Sequence, residues 1–162
     1  MVQTVRSLLR TWTLLALSTV LLAGCSISVP SDPDGTLDRV RGSELRVGIS
    51  HNPPHTGIEA GEEPSGVEAD LVRGFADHLD ATIVWTPGSE AALVQGLKDG
   101  NLDLAIAGFR DDSPYAEEAG ATDTYLETLA PDGSTVHHVM FVPTGENAFL
   151  TELEIYLAEA TR

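Results

Sequence analysis

Between residues 44 and 106, short apolar runs alternate with stretches in which apolar positions recur every third or fourth residue. This pattern predicts strands alternating with amphipathic helices. Leu45-Arg46-Val47-Gly48-Ile49 reads as a strand stopped by Asn52-Pro53-Pro54, and a polar loop follows over 52–66. Ser65-Gly66-Val67-Glu68 fits a capping box, with Leu71, Val72, Phe75, Ala76 and Leu79 on one face of the helix it opens. Thr82-Ile83-Val84-Trp85 is a second strand, closed by Pro87-Gly88. Ser89 then caps a helix that carries Leu93, Val94 and Leu97 and ends near Gly100.

Leu102 to Phe109 is apolar except for Asp103, as a parallel strand buried on both faces should be. Ser113-Pro114 predicts a short helix, and Asp123 to Thr128 an extended piece. Val136 to Val142 predicts another strand, and Asn147 a cap for a last helix with Phe149, Leu150, Leu153, Leu157 and Ala160 on its apolar face. That order implies a three-layer α/β/α single lobe with a mostly parallel sheet. The predicted lobe runs over 44–162.

Residues 1–24 have a different character. Arg6 and Arg10 precede an apolar run from Trp12 to Ala23, too short to span a bilayer comfortably but suited to an export signal. The run ends in Leu22-Ala23-Gly24-Cys25, which resembles a bacterial lipobox, and Cys25 is the chain's single cysteine. Acylation there would anchor an extracytoplasmic protein to a membrane and preclude any internal disulfide. Residues 25–43, rich in Pro, Gly, Ser and Asp, read as a flexible tether.

Charge narrows the function classes. Residues 25–162 carry seven Lys and Arg against 25 acids, a formal −18 that repels phosphate and argues against nucleic acid as a partner. No Gly-x-Ser-x-Gly elbow or Gly-rich phosphate loop is present, and acylation of Cys25 would leave no free thiol, so the expectation is a protein that is not an enzyme and needs no cofactor. His137 and His138 would point to opposite faces of a strand, and no spacing supports a zinc site, so no metal is expected.

Four segments resemble the first lobe of the bacterial extracellular solute-binding proteins of the amino-acid type, family 3, which serve ABC importers. They are LRVGIS (45–50) with PPH (53–55), GVEADLVRGFADHL (66–79), ALVQGLKDGNLDLAIAGF (92–109) and SPYAEEAGATDTY (113–125). The resemblance implies half of a type II periplasmic-binding-protein fold. Family members leave this lobe through two crossing strands and build a second. Here residues 126–135 alone separate the Tyr125 motif from the next strand, so the second lobe is expected to be missing. The resemblance also implies an arginine aimed at a ligand carboxylate, but that position holds Tyr115, and a neighbouring hydroxyl position holds Arg110.

Ligands of open α/β sheets bind beyond the carboxyl ends of the strands. That rule and the resemblance together nominate Asn52, His55, Glu68, Trp85, Gly108, Phe109, Arg110 and Tyr115. Helix N-termini near Ser65 and Ser113 would add amides for a small anion. Glu68 has two readings, an acid near the ligand or the closing member of the capping box. Trp85 likewise reads as edge packing or as a stacking platform, and Tyr125 as core. The expected partners are a membrane through the lipid, a small polar solute held weakly on an open shelf, and a transporter, a two-lobed protein or a second copy. The alternative expectation is an interaction lipoprotein that keeps the fold without binding a ligand.

Overall fold

Alternation along one strand sets the layers. The structure, a computed structural model, describes residues 31–162; Cys25 and the export-signal segment lie outside the described residues. In β1 (Glu44–Ile49), Leu45, Val47 and Ile49 are fully buried on one face, and Arg46 and Gly48 take the other. A β-carbon at Gly48 would lie 2.6 Å from Leu102 Cδ1 and 2.8 Å from Leu93 Cδ2, so glycine lets a helix sit directly on the sheet.

β2 (Thr82–Pro87) and β3 (Leu104–Ile106) flank β1, both parallel to it, with Val47 opposite Trp85 on one side and Leu104 on the other. β7 (Phe141–Val142) runs antiparallel to β3, and β4 (Gly120–Ala121) antiparallel to β7. The order is β2-β1-β3-β7-β4, and the sheet is mixed where the sequence predicted a mostly parallel one.

Helices cover both faces, completing the expected three layers. On one face α2 (Val67–His78) and α4 (Asn147–Ala160) bury Val72, Phe75, Phe149, Leu153 and Leu157 against Leu45, Val47, Leu104 and Ile106. On the other, α3 (Glu90–Lys98) buries Leu93, Val94 and Leu97 with Ala105, Phe109 and Phe141. Ser89 Oγ accepts from the Ala92 amide at 3.4 Å, and Gly100 turns out of the helix at φ +68°, as the sequence indicates.

Local pattern and structure part company at five places. The run 136–142 is two strands: β6 (Thr135–His138) pairs with β5 (Leu126–Leu129) as a separate hairpin, and β7 joins the main sheet. Ser113-Pro114 opens no helix; the Ala116 amide reaches Ser113 O at 3.0 Å and the Glu118 amide reaches Tyr115 O at 2.9 Å, giving successive turns. The capping box does not form, because the Ser65 amide pairs with Gly57 O and the Glu68 carboxyl turns into the protein.

The predicted tether gives way early. α1 (Thr36–Val40) lies within the residues read as tether and packs on the lobe with Val40 fully buried. Its docking also replaces the expected Asn147 cap. Asp32 Oδ1 accepts from the Ala148 and Phe149 amides at 2.7 and 3.0 Å, and its Oδ2 from the Leu37 amide at 2.9 Å. Glu146 returns the favour, accepting from the Asp34 and Thr36 amides at 3.0 and 2.9 Å. Two carboxylates thus satisfy the starts of two adjacent helices.

The hairpin stands where the family pattern implies crossing strands to a second lobe. Its turn closes tightly, with the Ala130 amide on Ser134 O at 2.9 Å and Asp132 Oδ1 accepting from the Ser134 amide at 3.0 Å. Back at the lobe, the Asp111 amide donates to His137 O at 3.1 Å, and Arg110 and His138 form an antiparallel bridge.

Candidate functional site

At the carboxyl ends of β1 and β3 the chain must turn sharply twice within reach of α2. The Asn52 amide donates to Thr56 O at 2.9 Å, and the Asn52 side chain reaches across to Ala107 O at 2.7 Å. Gly108 sits at φ +64°, and a β-carbon there would meet Asn52 Nδ2 at 2.6 Å and His55 Cδ2 at 3.0 Å. Only glycine fits this turn.

Glu68 holds the turn from below. Its carboxyl is fully buried, with Oε2 accepting from the Gly108 amide at 3.0 Å and Oε1 from the Tyr125 hydroxyl in a very short hydrogen bond. Burial pushes the carboxyl toward its neutral form, and the hydrogen bonds from Tyr125 and the Gly108 and Ala107 amides oppose that. Tyr125 is pushed upward in turn, by burial and by the acid beside it. The group ties α2, the Gly108 turn and the base of the hairpin into one unit.

Beside this anchor the His55 and His138 rings lie 4.2 Å apart at 36°. His138 Nε2 is 2.8 Å from Thr128 Oγ1, and the Nδ1 atoms of both rings are buried with no hydrogen-bond partner among the described residues. Burial lowers both imidazoles from the ordinary value; the neighbouring ring adds to this at His55, and Arg110 adds to it at His138 against the backbone of Gly108 and Phe109.

Above these residues opens a cleft of about 310 Å³ lined by Asn52, Glu90, Gly108, Phe109, Arg110, Asp112, Ser113 and Pro114. Four of the eight nominated residues line it: Asn52, Gly108, Phe109 and Arg110. Phe109 is buried against Phe141, ring centroids 4.4 Å apart, and closes the floor. Arg110 is half exposed and pairs with Asp112 at 2.7 Å, leaving further N–H groups free to turn toward a ligand. His55 and Glu68 lie in the supporting layer. Trp85 sits on β2 with the Arg73 guanidinium 5.9 Å from its ring, and Tyr115 packs on the second core; neither lines the cleft.

Sequence reasoning does not nominate Glu90 or Asp112, both of which line the cleft. The available signal was topological, since Glu90 opens the helix that follows the carboxyl end of β2. His138 was weighed only for metal. Its pairing with His55, 83 residues away in sequence, has no local signature. His137, on the opposite face as expected, pairs with Glu127 at 3.4 Å.

A larger cleft, about 590 Å³, lies at the opposite edge of the sheet, but its polar groups serve one another. Asp103 is fully buried and accepts from Arg46 Nε at 3.1 Å, from Arg46 Nη2 at 2.5 Å and from Arg39, while Lys98 pairs with Glu118 at 2.8 Å. This network fastens α1 to β1 and β3 and offers little unspent charge to a ligand.

A single α/β lobe with its polar cleft beyond the carboxyl ends of parallel strands is half of a periplasmic-binding-protein fold. The chain belongs to the bacterial extracellular solute-binding proteins, family 3, whose model matches residues 45–162. Among solved structures it resembles the arginine-bound form of domain 1 from TmArgBP (TM-score 0.62, 20% identity, 72% of this chain and 92% of that one). It also resembles EhuB in complex with hydroxyectoine (TM-score 0.67, 13% identity, 78% of this chain and 86% of that one). At such identities the likeness is one of fold.

Among curated proteins it is similar to the membrane-bound lytic murein transglycosylase F of Vibrio cholerae, 31% identical over 113 residues, or 68% of this chain and 21% of that protein. The Alteromonas mediterranea protein of the same name is 32% identical over 88 residues, 54% of this chain and 19% of that protein. The chain thus spans about a fifth of the length of the curated relatives it matches.

Proposed function

We propose that this chain is a lipid-anchored, extracytoplasmic lobe that holds a small polar solute of the amino-acid type on an open shelf, as an accessory to transport or sensing. The observation that carries this reading is the cleft at the carboxyl edge of β1 and β3, where Asn52, Gly108 and Arg110 converge above the buried Glu68. Arg110 supplies a cation for a carboxylate, and Glu90 with Asp112 supplies anions for an ammonium, a distribution suited to a zwitterion. That domain 1 from TmArgBP is described as arginine-bound supports a single lobe as a sufficient scaffold.

Enclosure sets the strength. Ligand sites bury roughly 70–90% of a small molecule, and one shelf covers about half as much. Exposed charge pairs contribute about 0–1 kcal/mol each. Free amino acids therefore bind more weakly than at micromolar concentration.

The likeness to lytic murein transglycosylase F favours a second reading. In it the lobe is a non-catalytic binding module of the cell-wall machinery, and its solute is a murein-derived peptide.

Amide NMR of the full chain in detergent, titrated with single amino acids and with a murein stem peptide, tests both. The first reading expects shifts at Asn52, Gly108 and Arg110 with an amino acid, lost in Arg110→Gln. The same shifts with the peptide alone select the second. No shift at these residues with either contradicts both.

A further inference from the structure

A buried imidazole in ring contact with a half-buried one, each with a buried and unpartnered Nδ1, is an unusual feature to leave at the edge of a binding shelf. We propose that His55 and His138 form a proton-operated latch that fastens the β5–β6 hairpin to the Gly108 turn: closed while both rings are neutral, released when either is protonated. As a regulator of the shelf it rests on the solute-binding reading; as a conformational device it does not.

The pair sits at a joint. His55 belongs to the loop after β1, and its ring lies against the Gly108 turn, where a β-carbon on Gly108 would come within 3.0 Å of it. His138 ends β6, bridges Arg110 through the backbone, and reaches Thr128 on β5 with Nε2. A change in the contact between the rings therefore acts on the floor of the cleft and on the hairpin together.

No neighbouring carboxylate is free to take up the added charge; at His138 the backbone of Gly108 and Phe109 favours the proton, and burial together with Arg110 outweighs it. His55 faces His138 and, beyond the Gly108 turn, Glu68, whose carboxyl is held toward neutrality and is already occupied by the Gly108 amide and Tyr125. His138 faces His55, the Thr128 hydroxyl and the positive Arg110; the anion nearest Arg110 is Asp112, which pairs with that guanidinium. Glu127 on β5 is engaged by His137 on the other face of the hairpin. An imidazolium here loses hydration and gains no counter-charge, and the state that relieves it separates the rings and lets water in.

The full chain, free of solute, is followed by NMR from pH 8 to pH 5. The ring protons of His55 and His138 are expected to titrate below the ordinary histidine value of about 6.5. The amides of Gly108, Arg110 and Thr128 are expected to shift with the same midpoint. Amides that stay fixed through that midpoint, or rings that titrate at or above the ordinary value, overturn the latch. His55→Phe keeps a ring in contact and leaves His138 as the one titrating member, so it should shrink the coupled shift at Gly108 and move its midpoint to that of the His138 ring; a shift that persists unchanged in it also overturns the latch. Should that variant not fold, the wild-type coupling decides alone. L-Arginine is then added at both ends of the range. Several-fold weaker binding at low pH, reduced in His55→Phe, is the expected control of the shelf. Equal binding at both ends overturns that control. Absence of binding throughout contradicts the solute-binding reading instead.

Discussion

Glu68 shows how one buried side chain can outrank its local sequence pattern. Ser-x-x-Glu ahead of an apolar face reads as a capping box, yet the carboxyl points inward to the Gly108 amide and the Tyr125 hydroxyl. Truncation in Glu68→Ala orphans both donors and opens a cavity, and should cost about 3–5 kcal/mol in urea unfolding. Glu68→Gln, which keeps an acceptor for Gly108, should cost clearly less. Equal losses would mean that the hydrogen bonds are incidental to packing. The acid and the histidines also make opposite contributions to the pH dependence of stability. The folded chain keeps the Glu68 proton above the ordinary value of 4.5, where the unfolded chain releases it, so the acid's contribution falls as pH rises from there. The folded chain resists protonating His55 and His138 below 6.5, where the unfolded chain takes protons up, so stability falls as pH is lowered from there. In unfolding series across pH, Glu68→Gln should flatten the first slope and His55→Phe the second.

At the level of elements, what could be read from the sequence divides by range. α2, α3, β1 and β2 follow from apolar spacing and from Ser89, Gly100 and Pro87, because their determinants lie within a few residues. The swapped caps could not be read, since Asp32 acts on amides 116 and 117 residues away and Glu146 on amides 110 and 112 residues away. The division of 136–142 between two sheets was equally hidden, because a continuous apolar run does not say which strand each half will meet. Of the residues nominated by the carboxyl-edge rule and the family resemblance, the fold brings Asn52, Gly108, Phe109 and Arg110 to one cleft. Trp85 and Tyr115 lie outside that cleft, the first beside Arg73 and the second on the second core. Asp32→Ala should destabilise the fold by about 1–2 kcal/mol through the lost α4 cap alone, with α1 losing its hold on the lobe. Faster amide exchange confined to residues 36–40 and the first turn of α4 would confirm it; unchanged protection would contradict it.

For the whole molecule, charge and connection matter most. A formal −16 over 162 residues implies self-repulsion that salt relieves within a screening length of about 8 Å at physiological strength. The unfolding temperature should therefore rise steadily as NaCl is added, and a salt-independent value would show that the acids are locally compensated. Cys25→Ser removes the thiol that the proposed anchor acylates and should move the protein from the membrane to the soluble fraction; unchanged fractionation would contradict the anchor. The central claim is that a single lobe, with a hairpin where a second lobe would attach, offers half a binding site. Calorimetry of the monomer with a panel of amino acids tests it most directly. The account predicts dissociation constants weaker than micromolar, lost on Arg110→Gln. Micromolar or tighter binding to one unpartnered copy would contradict it.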